Sequence, residues 1–238
     1  TQPESSAASD VYKRQGASSS KDEIERLANL VIENDMFLIS DDAYFDTLYD
    51  GEPKSIASYP GMYERTLTMY TFSKKFAMTG WRLGASIGPK KIIEQINRLN
   101  VNMESCTTHF VQYAGLAGLN APNQETQDIL DILKERRDAL VKILNDIEGV
   151  EVHAPEAGFY VFPKITTLLE NTGFDSVEEF RKVVLKETGV SFCGRHHFGR
   201  PLENEKDYYI RLAFSGIGLN DLKEGMKLFK RWIASNTK

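Results

Sequence analysis

The sequence predicts an α/β unit followed by a smaller α+β unit, with one long helix joining them. Three observations carry this expectation. Residues 20–40 read as helix, tight turn and apolar strand, which is half of an α/β repeat. Two more apolar strands follow at Leu67–Phe72 and Leu83–Ile87. After a long helix that opens at Pro122, the order of strands and helices changes.

Taken in order, Ser20-Lys-Asp-Glu23 has the spacing of a capping box, and Ile24, Leu27, Leu30 and Val31 follow at helical intervals. Asn34-Asp35 ends that helix, and Met36–Ser40 is a short run of strand length expected to be buried. Helices are expected over Pro89–Asn102 and Thr108–Leu119. The long helix reaches about Ile147, with Ile129, Ile132, Leu133, Leu140 and Leu144 on one face. Strands are then expected at Val150–His153, Gly158–Phe162 and Asp207–Phe214, and helices at Asp175–Glu187 and Leu219–Ala234. This divides the chain at 20–121 and 122–238. Residues 1–19 are small and polar without hydrophobic period, so they are expected to be disordered or foreign to the fold. No internal repeat is present.

Composition excludes several classes. The 238 residues carry 34 acidic and 29 basic side chains, a net charge of −5, with the two signs interspersed. A nucleic-acid partner calls for a basic stripe, and none is seen. No apolar run approaches the roughly 20 residues that span a bilayer, and Thr1–Gly16 has no signal-peptide core. The two cysteines, Cys106 and Cys193, lie far apart, as expected of thiols in a cytoplasmic protein.

The strongest chemical signal is Thr71-Phe-Ser-Lys74-Lys-Phe-Ala-Met-Thr-Gly-Trp-Arg82-Leu-Gly84. A Ser-Lys-Lys loop is commonly solvated charge. Here it follows an apolar strand and precedes a Trp and an Arg that enter another strand. A partly desolvated lysine is able to form a Schiff base. The stretch resembles the cofactor-lysine motif of class I/II (fold type I) pyridoxal-phosphate-dependent aminotransferases. In that family an arginine eight residues past the lysine binds the cofactor phosphate. The resemblance selects Lys74 over Lys75, since Arg82 is eight residues beyond Lys74. It also gives Thr71 the place of a serine whose hydroxyl reaches the phosphate.

Ser40-Asp41-Asp42-Ala43-Tyr44 follows the first strand, and by itself reads equally as a turn-forming acidic pair. It resembles the family's Asp-Glu-x-Tyr signature, with Asp42 in place of Glu. The resemblance implies that Asp41 pairs with the cofactor's pyridinium nitrogen and that Tyr44 donates to its phenolic oxygen. Asp42 is expected to be structural. In Tyr208-Tyr-Ile-Arg211-Leu-Ala-Phe-Ser215, alternation puts Arg211 with Tyr209 and Ala213, opposite Ile210, Leu212 and Phe214. An Arg in so apolar a strand calls for an anion. The segment resembles the family strand whose arginine holds the substrate α-carboxylate, with a structural ion pair as the plain alternative.

Other features read as structural. His196-His197 has no third metal ligand at helix or hairpin spacing, so no metal is expected. The resemblance brings the loop Phe192–Gly199 near the active site. Gly80, Gly84 and Gly88 do not form a dinucleotide fingerprint.

The resemblance implies a partial aminotransferase-like large domain with a mixed, mainly parallel sheet, followed by the small C-terminal domain. It implies pyridoxal 5'-phosphate as cofactor, an amino acid and a 2-keto acid as substrates, transamination as the reaction, and a homodimer. A C–S lyase or decarboxylase of the same fold, or the cofactor-sensing domain of a transcription regulator, are the other readings. The family pattern extends further upstream than Ser20. Its Gly-rich phosphate loop, its ring-stacking aromatic and its Asn-Pro-x-x-Gly segment have no counterpart before Asp41. The sequence is therefore expected to be a C-terminal portion with weak cofactor binding of its own.

Overall fold

The structure is a computed structural model that describes residues 18–200 and 204–237. The expected tail at 1–19 lies almost wholly outside the described residues. The chain divides into two compact units within one long helix, between Ile129 and Leu130. The domain boundary proposed at residue 122 falls next to that helix's first residue, Asn123.

In the unit 18–129, helix α1 (Lys21–Glu33) starts at the expected capping box. Ser20 N donates to Glu23 Oε2 at 2.8 Å, and Glu23 N donates to Ser20 Oγ at 3.3 Å. The buried face differs from the expected one. Ala28 and Val31 pack with Ile56, Tyr59 and Met62, with Ile24 at the margin. Leu27 and Leu30 are exposed, because the face at i, i+4, i+7 from Ile24 is the one that meets residues 56–62.

Three strands form one mixed sheet in the order β1 (Leu38–Asp41), β2 (Thr66–Thr71), β3 (Gly84–Ile87). β1 runs parallel to β2 with Asp41 opposite Met69, and β3 runs antiparallel to β2 with Gly84 opposite Thr71. The first strand is not the buried strand expected: Ile39 is 62% exposed and Phe37 46%. A run of apolar residues reports only that a face is suited to burial; among the described residues that face of β1 is left open.

Phe72 leaves the strand and opens a one-turn helix, α2 (Phe72–Lys75). Lys74 therefore sits on a helical turn, not at a strand end. Thr71 makes this turn, since its Oγ1 accepts from Ser73 N at 3.2 Å in the way of an N-cap. Phe72, Met78, Leu83 and Val111 make a second small core. Helices α3 (Lys90–Met103) and α4 (His109–Asn120) follow. Gly115 of α4 lets the helix approach, for a Cβ there would lie 2.4 Å from Leu83 Cδ2.

Helix α5 (Asn123–Asn145) leads into the unit 130–237 and buries Leu133, Leu140 and Leu144, while Ile132 of the expected face is exposed. A three-stranded antiparallel sheet follows, in the order β4 (Tyr160–Val161), β6 (Ile210–Ala213), β5 (Cys193–Gly194). The expected strand at Val150–His153 is reduced to one bridge, Glu151 to Lys164. Helix α6 (Thr166–Thr172) was not expected; seven residues are too few for a hydrophobic period to emerge. Helices α7 (Val177–Thr188) and α8 (Leu219–Asn236) pack on each other. Their contact is aromatic, with the Phe180 ring 6.4 Å from Phe229 and 5.9 Å from Trp232. Alternation in β6 holds as read: Ile210, Leu212 and Phe214 are buried and Arg211 is turned to the other side.

Candidate active site

Parallel pairing brings the carboxyl ends of β1 and β2 to one edge of the sheet. Asp41 is the last residue of β1 and Thr71 the last of β2. Because β3 runs back from Gly84 opposite Thr71, Arg82 arrives at that same edge. In open α/β sheets this edge is where ligands bind. The topology thus gathers Asp41, Tyr44, Thr71, Lys74 and Arg82, five residues spread over 42 positions of sequence.

The turn after β1 is built by the acidic pair. Asp41 Oδ1 accepts from Ala43 N at 3.3 Å, and Ser40 Oγ donates to Asp42 Oδ1 at 2.6 Å. Burial raises the Asp42 carboxyl above its ordinary value; the Ser40 hydrogen bond opposes this, and the neighbouring Asp41 charge adds to it. Tyr44 follows, and the ammonium of Lys74 lies 5.6 Å from its ring centroid.

The two adjacent lysines have different partners. Lys75 Nζ lies 2.9 Å from Asp46 Oδ1, in a pair whose side chains are 27% and 19% exposed. Tyr70 donates its hydroxyl to Asp46 Oδ2 at 2.6 Å. Burial, then that hydrogen bond and the Asp46 charge, push the Tyr70 phenol well above its ordinary range, so it stays a donor. Asp46 and Tyr70 were not singled out from the sequence. The only signal for Asp46 was that a second partly buried lysine needs a counter-charge.

The loop between α2 and β3 bends through two non-glycine residues with left-handed backbone, Ala77 at φ 52° and Arg82 at φ 55°. Strain of this kind collects at functional sites. Arg82 is exposed, and its Nη1 donates to Thr79 O at 2.9 Å. Thr71 is less open than expected, since its hydroxyl caps α2 and lies 3.5 Å from Leu83 O.

Arg211 belongs to the unit 130–237. Its guanidinium carbon lies 4.2 Å from the ring centroid of Tyr160 and 4.2 Å from that of Phe198. Among the described residues no carboxylate forms an ion pair with it. The two rings, neither marked by the sequence, both lie within cation–π distance of the guanidinium.

The sequence profile of class I and II aminotransferases matches residues 14–226. The chain belongs to this family. The match begins at residue 14, inside the tail expected to be disordered or foreign to the fold. Over 211 residues the chain is 34% identical to an aspartate aminotransferase of Sulfurisphaera tokodaii, covering 89% of the chain and 51% of that protein. Over 203 residues it is 35% identical to aromatic-amino-acid aminotransferase 2 of Thermococcus litoralis, covering 84% and 50%. Among solved structures, the aromatic aminotransferase of Pyrococcus horikoshii superposes with a TM-score of 0.82 at 33% identity, over 92% of this chain and 57% of that one. The chain thus spans about half the length of the curated relatives it matches.

Aminotransferases of this family depend on pyridoxal phosphate. The groups at the sheet edge fit that cofactor in kind: an amine, a carboxylate, a phenol, a guanidinium and a hydroxyl converge where β1 and β2 end. No helix of the described residues is long and apolar enough to cross a membrane.

Proposed function

We propose that this chain carries the cofactor-binding lysine and the substrate-carboxylate arginine of a transaminase, which moves an amino group between an amino acid and a 2-keto acid. The observation that carries the reading is the approach of the Lys74 ammonium to the Tyr44 ring at the edge where Asp41, Thr71 and Arg82 also arrive.

Pyridoxal phosphate, when bound, supplies a carbonyl carbon that takes up the amino group and a ring that accepts electrons. Lys74 would be the covalent anchor, and its amine, released when the substrate's amino group takes its place, would hold and move the proton at the substrate α-carbon. Asp41 keeps a proton on the cofactor's ring nitrogen. Tyr44 donates its hydroxyl to the ring's phenolic oxygen. Arg82 meets the phosphate with its planar fork, and the Thr71 hydroxyl adds a contact if it leaves Leu83 O. Arg211, held between Tyr160 and Phe198, orients the substrate through its α-carboxylate. A homodimer in the cytoplasm is part of the same proposal, in keeping with family membership and with two cysteines that form no disulfide.

The test is product analysis on an active enzyme carrying this sequence. Amino-group transfer that requires an added 2-keto acid and is abolished by Lys74→Ala is the expected result. Loss of the amino group without any keto-acid acceptor would instead mark a lyase.

A further inference from the structure

Residues 193–198 bring two adjacent imidazoles against the first turn of α7. His196 Nε2 lies 3.6 Å from Glu178 Oε2. One ligating atom from each of Glu178, His196 and His197 lies within 4.8 Å of the other two. No local spacing pattern announces this group, since Glu178 comes from another element; the third donor that was not expected is supplied by packing of β5 on α7. We propose that Glu178, His196 and His197 form a binding site for a divalent transition-metal ion of the zinc, cobalt or nickel class, with water completing its coordination.

The donor set points to that class, because imidazole nitrogen with a single carboxylate suits borderline ions and not calcium or magnesium. Ligands bound at about 2.0–2.2 Å to one ion are roughly 3–4 Å apart, so small rotations of the side chains close the group.

The surroundings are arranged for ligation. His197 Nδ1 lies 3.1 Å from Gly194 O, and an N–H donated there leaves Nε2 with its lone pair for a metal. Gly194 N also lies 3.1 Å from that Nδ1, so ion binding selects between two tautomers. The ring of His196 lies over Gly194, where a Cβ would come within 2.6 Å of its Cε1. Arg181 donates to both oxygens of Glu178, at 2.9 and 2.7 Å, and fixes the carboxylate plane. Each oxygen keeps a second acceptor position for an ion. Lys182 Nζ, 3.4 Å from Glu178 Oε1, competes for that oxygen and moderates affinity. Because the same turn carries Phe198, the ion would staple to α7 the segment whose ring packs on Arg211.

The test uses the full 238-residue chain, stripped with chelator, titrated with Co²⁺ by its visible absorption and with Zn²⁺ by calorimetry. Saturable uptake of one equivalent is expected. His196→Ala/His197→Ala should weaken it more than about tenfold, and Glu178→Gln about tenfold. A variant lacking the other two histidines, His109→Ala/His153→Ala, should bind as the parent does. Independently of any variant, Zn²⁺ should slow amide exchange at Gly194–Phe198. Unsaturable uptake, equal binding by the His196→Ala/His197→Ala variant, or unchanged exchange at that turn would each overturn the site.

Discussion

The ammonium of Lys75 is tied to Asp46 at 2.9 Å, and this separates it from its neighbour Lys74, whose ammonium lies at the Tyr44 ring. The pair gives a physical reason for the choice between two lysines. In an active enzyme carrying this sequence, borohydride reduction followed by peptide mapping should find the pyridoxyl group on Lys74. Label on Lys75 would reverse the assignment. Asp46→Asn should not move the label, though it removes a half-buried partner of both Tyr70 and Lys75.

Arg211→Lys should raise KM for the amino acid by roughly ten- to a hundred-fold, the value of about 1.5–3 kcal/mol for a charge-assisted contact. Lysine keeps the charge but loses the planar group that fits between Tyr160 and Phe198. Cofactor affinity, read by absorbance titration, should change little. An unchanged KM would remove Arg211 from the role of carboxylate clamp.

Asp42 gives a pH dependence with a definite sign. Burial raises its native pKa, so the folded chain keeps the proton at pH values where the unfolded chain has released it. That contribution is fully present below the unfolded value near 3.8 and is lost as pH rises through the native one. Asp42→Asn retains an acceptor for Ser40 and removes the charge. Its stability relative to the parent, measured by urea unfolding, should increase between pH 4 and pH 7. A constant difference across that window would contradict the burial argument.

Gly115→Ala should destabilise the unit 18–129 by about 1–3 kcal/mol, the usual cost of overpacking. The new methyl would meet Leu83 Cδ2 at 2.4 Å and Phe72 Cε1 at 3.2 Å. A lowered urea midpoint with an unchanged slope is the expected readout. Gly80→Ala, where nothing lies within 4 Å, is the control.

The 238-residue chain should bind pyridoxal phosphate weakly and self-associate. In the proposed site Arg82 and Thr71 are the phosphate's contacts, fewer than its oxygens can accept. The loss of two or three at about 1.5–3 kcal/mol each weakens binding about a hundred-fold or more. On the unit 18–129, Leu99, Val101, Met103, Phe110 and Tyr113 are each more than half exposed, with values of 60–77%. Light scattering that rises with concentration and a cofactor titration checked by keto-acid formation test both statements. Micromolar affinity with turnover in a monodisperse sample would refute them.

The sequence by itself determined several local elements and named the candidate reactive groups. Ser20 and Glu23 set the start of α1 because a capping box is satisfied within four residues. Alternation in β6 set the side of Arg211, because the period of a strand is a property of its own backbone. The order of Lys74 and Arg82 could likewise be read along the chain.

What the sequence left open was settled by contacts between distant residues. Thr71 became a helix cap because Phe72 turned out of the strand to pack with Leu83 and Val111. The difference between Lys74 and Lys75 came from Asp46, 29 residues before Lys75, and from Tyr70 beside it. Tyr160 and Phe198 reached Arg211 only through the pairing of β4 and β5 with β6. Glu178 met His196 and His197 only because β5 lies on α7. Periodicity and capping are encoded over a few residues and can be read there. The partner of a charge or a ring is chosen by chain topology, which brings together residues that share no local pattern.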